Sequence, residues 1–213
     1  METTKLIHSL SKNLKPVRRL MSPIKRAIIW FVISILCVSI GVYWSGILQK
    51  FTPESANTFF ILESIAILCF TFSASCLAFL LSVPGRFKSN MIWYTLVPLI
   101  SWIILLIIQS GAFFSIFSVD LLSSTPGGMC PRDLATLCVV PALIIFSMIR
   151  LASPQKKSLI GYIGLLSSFG LAAFGLQFTC GALSSPLHVL MFHVSPAVGL
   201  ALLGIFLGKI LIK

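Results

Sequence analysis

Hydrophobic residues occur in six long runs, separated by short segments that are polar or rich in glycine and proline. A helix needs about 20 apolar residues to cross the hydrocarbon core of a bilayer, and each run is about that long. The runs lack the alternation of apolar and polar residues that marks barrel strands, so the pattern predicts helices. The predicted fold class is an all-α polytopic membrane protein with six transmembrane helices, over residues 27–48, 58–83, 91–113, 134–151, 159–178 and 187–212.

The segment before the first run is amphipathic. Leu6, Leu10, Leu14 and Val17 recur at helical spacing, which predicts an apolar stripe on a short helix. Pro16 should end or kink this helix, because proline has no backbone N–H to donate. The stripe suits an interfacial helix on anionic lipid or a docking helix in a groove of a cytoplasmic partner. Periodicity does not separate these two interpretations.

Composition indicates the class of protein, and the distribution of charge indicates the orientation of the chain in the membrane. A chain of 213 residues that is 57% hydrophobic and 10% charged is too apolar for a water-soluble core of this size. All 16 basic residues except Lys50 and Arg132 lie on one side of the predicted spans or at the C-terminus. Because such residues are retained in the cytoplasm during insertion, both termini are predicted to be cytoplasmic. In a bacterium the outer face would then be the periplasm.

This orientation divides the chain into a cytoplasmic tail, residues 1–26, and a six-helix bundle, residues 27–213. The outer loops are then 49–57, 114–133 and 179–186. The net charge of +11 is explained by the basic residues that orient the chain during membrane insertion and by their attraction to anionic lipid. The sequence has no basic stripe interleaved with aromatic residues, so its pattern does not favour direct binding to nucleic acid.

Two of the six cysteines, Cys130 and Cys180, lie in the predicted outer loops. Disulfides persist in the periplasm, and a bridge is possible if the two Cα atoms come within about 7 Å. A static bridge, two unrelated thiols and a redox- or metal-sensitive pair all fit this placement. His188 could add a nitrogen ligand to two thiolates. His193 should lie about 140° further around the helix, as a buried core histidine rather than as a partner of His188.

Glu63 is the acidic residue inside a predicted span, so it should face the bundle interior or be protonated. A structural hydrogen bond and a proton relay both fit, and the second would suit a small transporter or channel. Against transport, the sequence shows no internal repeat of the kind many transporters have. A thiol-disulfide oxidoreductase would need a Cys-x-x-Cys pair, which the sequence lacks. We therefore expect no enzymatic activity and no cofactor.

The fifth run has a face of small residues, with Gly161, Gly164, Ser168, Ala172 and Gly175 at close spacing. Small residues let membrane helices approach closely. The face predicts tight packing within the bundle or a homodimer.

Three pieces of the chain together resemble a known family. They are LKPVRRLMSPIKR before the first run, the cysteine before the fourth run with a proline inside that run, and C-x5-PLHVLMFH leading into a glycine-rich last run. In this order and spacing they resemble the six-helix NrsF-type membrane proteins, negative regulators of SigF-like extracytoplasmic-function sigma factors of proteobacteria. The resemblance covers nearly the whole chain.

The resemblance implies a membrane-bound anti-sigma factor, which holds a sigma factor at the inner membrane until an oxidative or heavy-metal signal in the envelope releases it. Cys130 and Cys180 match the family's outer cysteines and would be the sensing pair, with His188 as a candidate metal ligand beside them. The tail would bind the sigma factor. Its implied contact residues are Leu6, Leu10, Leu14, Pro16, Val17, Arg18 and Arg19.

Overall fold

The structure, a computed structural model, describes residues 3, 7, 11, 20–44, 58–85, 89–109, 129–152, 154, 156–180, 183 and 186–212. Regular structure in these residues is helical, and six of the helices are long and apolar enough to cross a membrane. The predicted six-helix fold class is confirmed to that extent. The helices are α1 (Pro23–Trp44), α2 (Thr58–Leu81), α3 (Trp93–Gln109), α4 (Cys130–Arg150), α5 (Lys157–Leu176) and α6 (Leu187–Leu211).

Two helices begin earlier than the hydrophobic pattern predicted, at residues 23 and 130 rather than 27 and 134. Pro23 is the first residue of α1, and Pro131 stands in the first turn of α4. Proline suits this position, because its fixed φ is helical and the first N–H groups of a helix have no partner within it. Arg26 is therefore part of a membrane helix rather than of the tail, and Cys130 begins α4 rather than lying in the loop.

Helix α5 lies at the centre of the bundle. Of its most apolar segment 83% is buried, whereas the other five spans range from 17% to 50%. It packs against α1, α2, α4 and α6, since the glycine, serine and alanine residues along it leave room for neighbouring helices. The small-residue face is thus used inside the chain, and the homodimer stays a prediction.

Helices α5 and α6 approach each other closely enough for their backbones to touch. A methyl group added at Gly161 would overlap the carbonyl oxygen of Gly204, and one added at Gly204 would overlap the carbonyl oxygen of Gly161. One turn further on, a methyl group at Gly208 would overlap the carbonyl oxygen of Lys157. Backbone atoms cannot rotate away as a flexible side chain can, so this contact requires glycine on both helices.

Helix α1 is attached to α4 by a buried hydrogen bond. The indole Nε1 of Trp30 donates to the carbonyl oxygen of Pro141 at 2.9 Å, and the Trp30 side chain is completely buried. Such a bond is most valuable where no water competes for the donor. It fixes the position of α1 relative to the helix that carries Cys130.

Candidate functional site

The two cysteines of the predicted outer loops meet at one end of the bundle, where α4 begins and α5 ends. Cys180 follows the last turn of α5 and its N–H donates to the carbonyl oxygen of Leu176 at 2.9 Å. Its Sγ atom lies 3.7 Å from Sγ of Cys130. All six cysteines fall in described parts of the chain, and none of them forms a disulfide in this structure. The two sulfurs are therefore in contact, and a disulfide between them stays a prediction.

His188, in the first turn of the last span, touches both thiols. Its Nε2 atom lies 3.4 Å from Sγ of Cys130 and 3.4 Å from Sγ of Cys180. The His188 side chain is 1% exposed, and the ring of Phe192 packs against it with centroids 4.9 Å apart. The aromatic neighbour and the surrounding helices fix the imidazole between the sulfurs.

His193 also belongs to this group, contrary to the sequence-based expectation that it points away from His188. The two histidine rings are 5.5 Å apart between centroids. The reason is a π-helical turn, Leu190–Val194, in which the N–H of Ser195 donates to the carbonyl oxygen of Leu190. A π turn has more residues than an α turn, so residues five apart come close to one another.

The π turn has a local cause in the sequence. Pro196 stands two residues after its end and cannot donate a hydrogen bond to the carbonyl oxygen of Phe192, with which its ring would also clash in a regular α-helix. Widening the preceding turn removes this conflict, and such turns are frequent at functional sites. The proline therefore predicts an irregularity here, but not that the irregularity would bring two histidines together.

The four side chains form one group, which we call the Cys–His cluster: Cys130, Cys180, His188 and His193. One potential ligand atom from each lies within 4.8 Å of the other three. Cys130 is 9% exposed and the two histidines are 1% exposed. The Nε2 atom of His193 is buried and has no hydrogen-bond partner among the described residues. Thiols and imidazoles at these separations can form a disulfide or bind a metal ion.

A second polar group lies next to the Cys–His cluster and includes Glu63 of α2. The Nε1 of Trp102 donates to Glu63 Oε1 at 3.0 Å, and the side chain of Gln177 lies beside the same carboxyl group. Glu63 is close enough to His193 for the two to interact electrostatically. The hydrogen bond from Trp102 fits the structural interpretation of Glu63, and these contacts connect the cluster to α2 and α3.

At the opposite end of the bundle, Arg26 joins α1 to two other helices. Its guanidinium donates to Ser82 Oγ at 3.0 Å, to the carbonyl oxygen of Phe79 at 3.4 Å and to that of Met148 at 3.5 Å. It also lies over the Phe79 ring, 5.1 Å from the centroid. The carbonyl groups belong to the last turns of α2 and α4, where the helix dipole favours a cation. The Arg26 side chain is 1% exposed.

From the sequence, Arg26 is expected only to be one of the basic residues of the tail. The position of Arg26 in the sequence gives a signal for this role, because it falls on the buried face of α1. The first buried residues of this face are Pro23, Arg26, Ala27, Trp30 and Ser34. A charged residue on the buried face of a membrane helix must find partners there.

The predicted sigma-facing residues of the tail lie outside the described residues, and the structure says nothing of them. In that part of the chain it describes Thr3, Ile7 and Ser11, which are helical and exposed. The residues outside the description are Leu6, Leu10, Leu14, Pro16, Val17, Arg18 and Arg19.

Comparison with known proteins gives one match. A family model described as NrsF, negative regulator of sigma F, matches residues 10–213, which include most of the tail and all six spanning helices. No curated protein and no solved structure matches the chain. The family match confirms the resemblance seen in the sequence motifs. Because it covers nearly the whole chain, the protein belongs to the NrsF family of negative regulators of sigma F.

Proposed function

We propose that this protein is a membrane-bound anti-sigma factor of the bacterial inner membrane with both termini in the cytoplasm. Its tail, the segment before α1, binds an extracytoplasmic-function sigma factor. An oxidative or heavy-metal signal in the periplasm acts on Cys130 and Cys180 and releases it. The protein acts by binding, and we propose no catalytic activity for it.

The observation that carries this proposal is that one helix has the thiol pair at one end and the junction with the tail at the other. Cys130 is the first residue of α4, and the carbonyl oxygen of Met148, in its last turn, accepts a hydrogen bond from Arg26. A helix of 21 residues is about 30 Å long, which is the thickness of the hydrocarbon core. Helix α4 is therefore long enough to connect the two sides of a membrane directly.

A change at the thiol pair would move the start of α4. A disulfide has an S–S distance of about 2.05 Å, so the two sulfurs, now 3.7 Å apart, must come closer to bond, and we propose that α4 and the end of α5 approach each other as they do. Packed helices shift as rigid bodies, so the last turn of α4 would shift relative to Arg26. A hundredfold loss of affinity for the sigma factor requires a coupling free energy of only about 2.7 kcal/mol.

The tail is tested by capture of the sigma factor on the full-length protein in nanodiscs. We expect Leu10→Asp with Leu14→Asp to lower the affinity at least a hundredfold, since two carboxylates would break the apolar stripe. Ser9→Asp with Asn13→Asp adds the same charge at the same spacing on another face and should bind as the wild type does. If both variants capture the sigma factor equally, or if the wild type captures none, the proposal is contradicted. A transport assay would then test the alternative of a small transporter or channel.

The thiol pair is tested in cells with a reporter of the sigma factor's target genes. We expect Cys130→Ser or Cys180→Ser to abolish induction by peroxide or cadmium, because one remaining thiol can form neither the bridge nor a two-sulfur metal site. Cys138→Ser, on the same helix, is the matched control and should keep at least half of the wild-type induction. Full induction in the Cys130 and Cys180 variants would exclude this pair as the sensor.

A further inference from the structure

The separations in the Cys–His cluster match those of a tetrahedral metal site. With Zn–S bonds of about 2.3 Å and Zn–N bonds of about 2.0–2.1 Å, tetrahedral geometry requires sulfurs about 3.8 Å apart and sulfur-to-nitrogen distances of about 3.6 Å. The observed distances are 3.7 Å between the sulfurs and 3.4 Å from each sulfur to Nε2 of His188. Three ligand atoms are thus already placed for a metal ion.

The fourth position belongs to His193. One of its ring nitrogens lies within 4.8 Å of the other three ligand atoms. Its Nε2 atom is buried without a hydrogen-bond partner among the described residues, which is costly for a polar atom unless something binds there. The π turn that brings His193 to the cluster replaces regular helix with a rarer geometry. A ligand role accounts for both features.

We propose that the Cys–His cluster binds one thiophilic d10 cation of the Zn2+ class, tetrahedrally coordinated by Cys130, Cys180, His188 and His193. Thiolate and imidazole ligands favour such ions, whereas Mg2+ and Ca2+ require oxygen ligands, which this cluster does not contain. Two thiolates balance the charge of a divalent ion, so the buried complex carries no net charge.

The regulatory meaning of this site rests on the proposed function. The ion and a disulfide compete for the same two sulfurs, so metal binding and oxidation exclude each other. A peroxide would take one electron from each thiolate, the S–S bond would form and the ion would leave to water. The peroxide, with two protons, would become two molecules of water. The bound ion would thus hold α4, α5 and α6 together until oxidation removes it or a heavy-metal ion replaces it.

The test is a metal titration of the reduced full-length protein in nanodiscs, with Zn2+ for stoichiometry and Co2+ as a spectroscopic probe. We expect one equivalent of bound metal and the intense visible absorption of Co2+ in a tetrahedral site with thiolate ligands. His193→Phe should lower the affinity at least tenfold, and His193→Cys should retain the bound ion with a third thiolate. Cys138→Ser should bind as the wild type does.

Oxidation of the wild-type protein tests the same site without a substitution, so the result does not depend on whether a variant folds. Wild-type protein oxidised with peroxide should lose the bound ion and regain it on reduction. Metal binding unchanged by oxidation, or equal in His193→Phe and the wild type, would overturn the four-ligand site. The assay needs no sigma factor. If the protein does not bind metal but its tail still captures the sigma factor, the metal site is wrong and the proposed function is not contradicted.

Discussion

In an Arg26→Met variant, we expect the Cys–His cluster to be oxidised and reduced as in the wild type. Oxidation should, however, no longer lower the affinity for the sigma factor. Arg26 stands at the junction between the tail and the bundle, where it binds the last turns of α2 and α4. Without these bonds, α4 still holds α1 through the Trp30 hydrogen bond, but one turn further from the tail, so we expect a shift of α4 no longer to reach the tail. The ratio of sigma-factor affinities in the reduced and oxidised states should fall from about a hundredfold to nearly one, a loss of about 2.7 kcal/mol of coupling.

Methionine is the replacement of choice because it fills similar space without leaving a charge or a polar group unpaired. Exchange of a buried ionic group for a well-packed apolar one is often neutral for stability. Lys25→Met is the matched control, since Lys25 is the preceding residue, is exposed and loses the same charge. Sigma-factor binding to reduced and oxidised protein is measured for both variants. If Arg26→Met keeps the wild-type ratio, the signal does not pass through this junction.

The second large effect is expected at the contact of α5 and α6. Gly204→Ala should destabilise the bundle by about 3 kcal/mol or more, because the new methyl group overlaps backbone atoms of Gly161 and Tyr162 that cannot move independently. Gly199→Ala is the matched control on the same helix, where the added methyl group meets nothing within 4 Å. It should change the unfolding free energy by about 1 kcal/mol or less.

The unfolding free energies of both variants can be measured by denaturation in mixed micelles. A similar loss in the two would mean that the helices do not need this close contact. If only Gly204→Ala is destabilised, α6 depends on α5 for its position. The last span carries both histidines of the Cys–His cluster, so the affinity for metal should fall with it.

Sequence patterns determined the number of spans, because a helix must present an apolar surface long enough for the bilayer wherever it crosses. They also singled out Cys130, Cys180 and His188 and the family to which the chain belongs, since these depend on residue identity and order. The starts of α1 and α4 were misplaced, because hydrophobicity does not register that a proline followed by polar residues can begin a membrane helix. Arg26 was assigned to the tail for the same reason.

Tertiary structure alone decided which of these residues meet. The 3.7 Å contact of Cys130 and Cys180, which are fifty positions apart in the sequence, depends on how α4 packs against α5. His193 was excluded by regular helical geometry and joins the cluster because the turn before Pro196 is π-helical. Arg26 became the junction through carbonyl groups on two distant helices. Local patterns report what each segment buries, whereas distances between segments depend on the packing of the whole bundle.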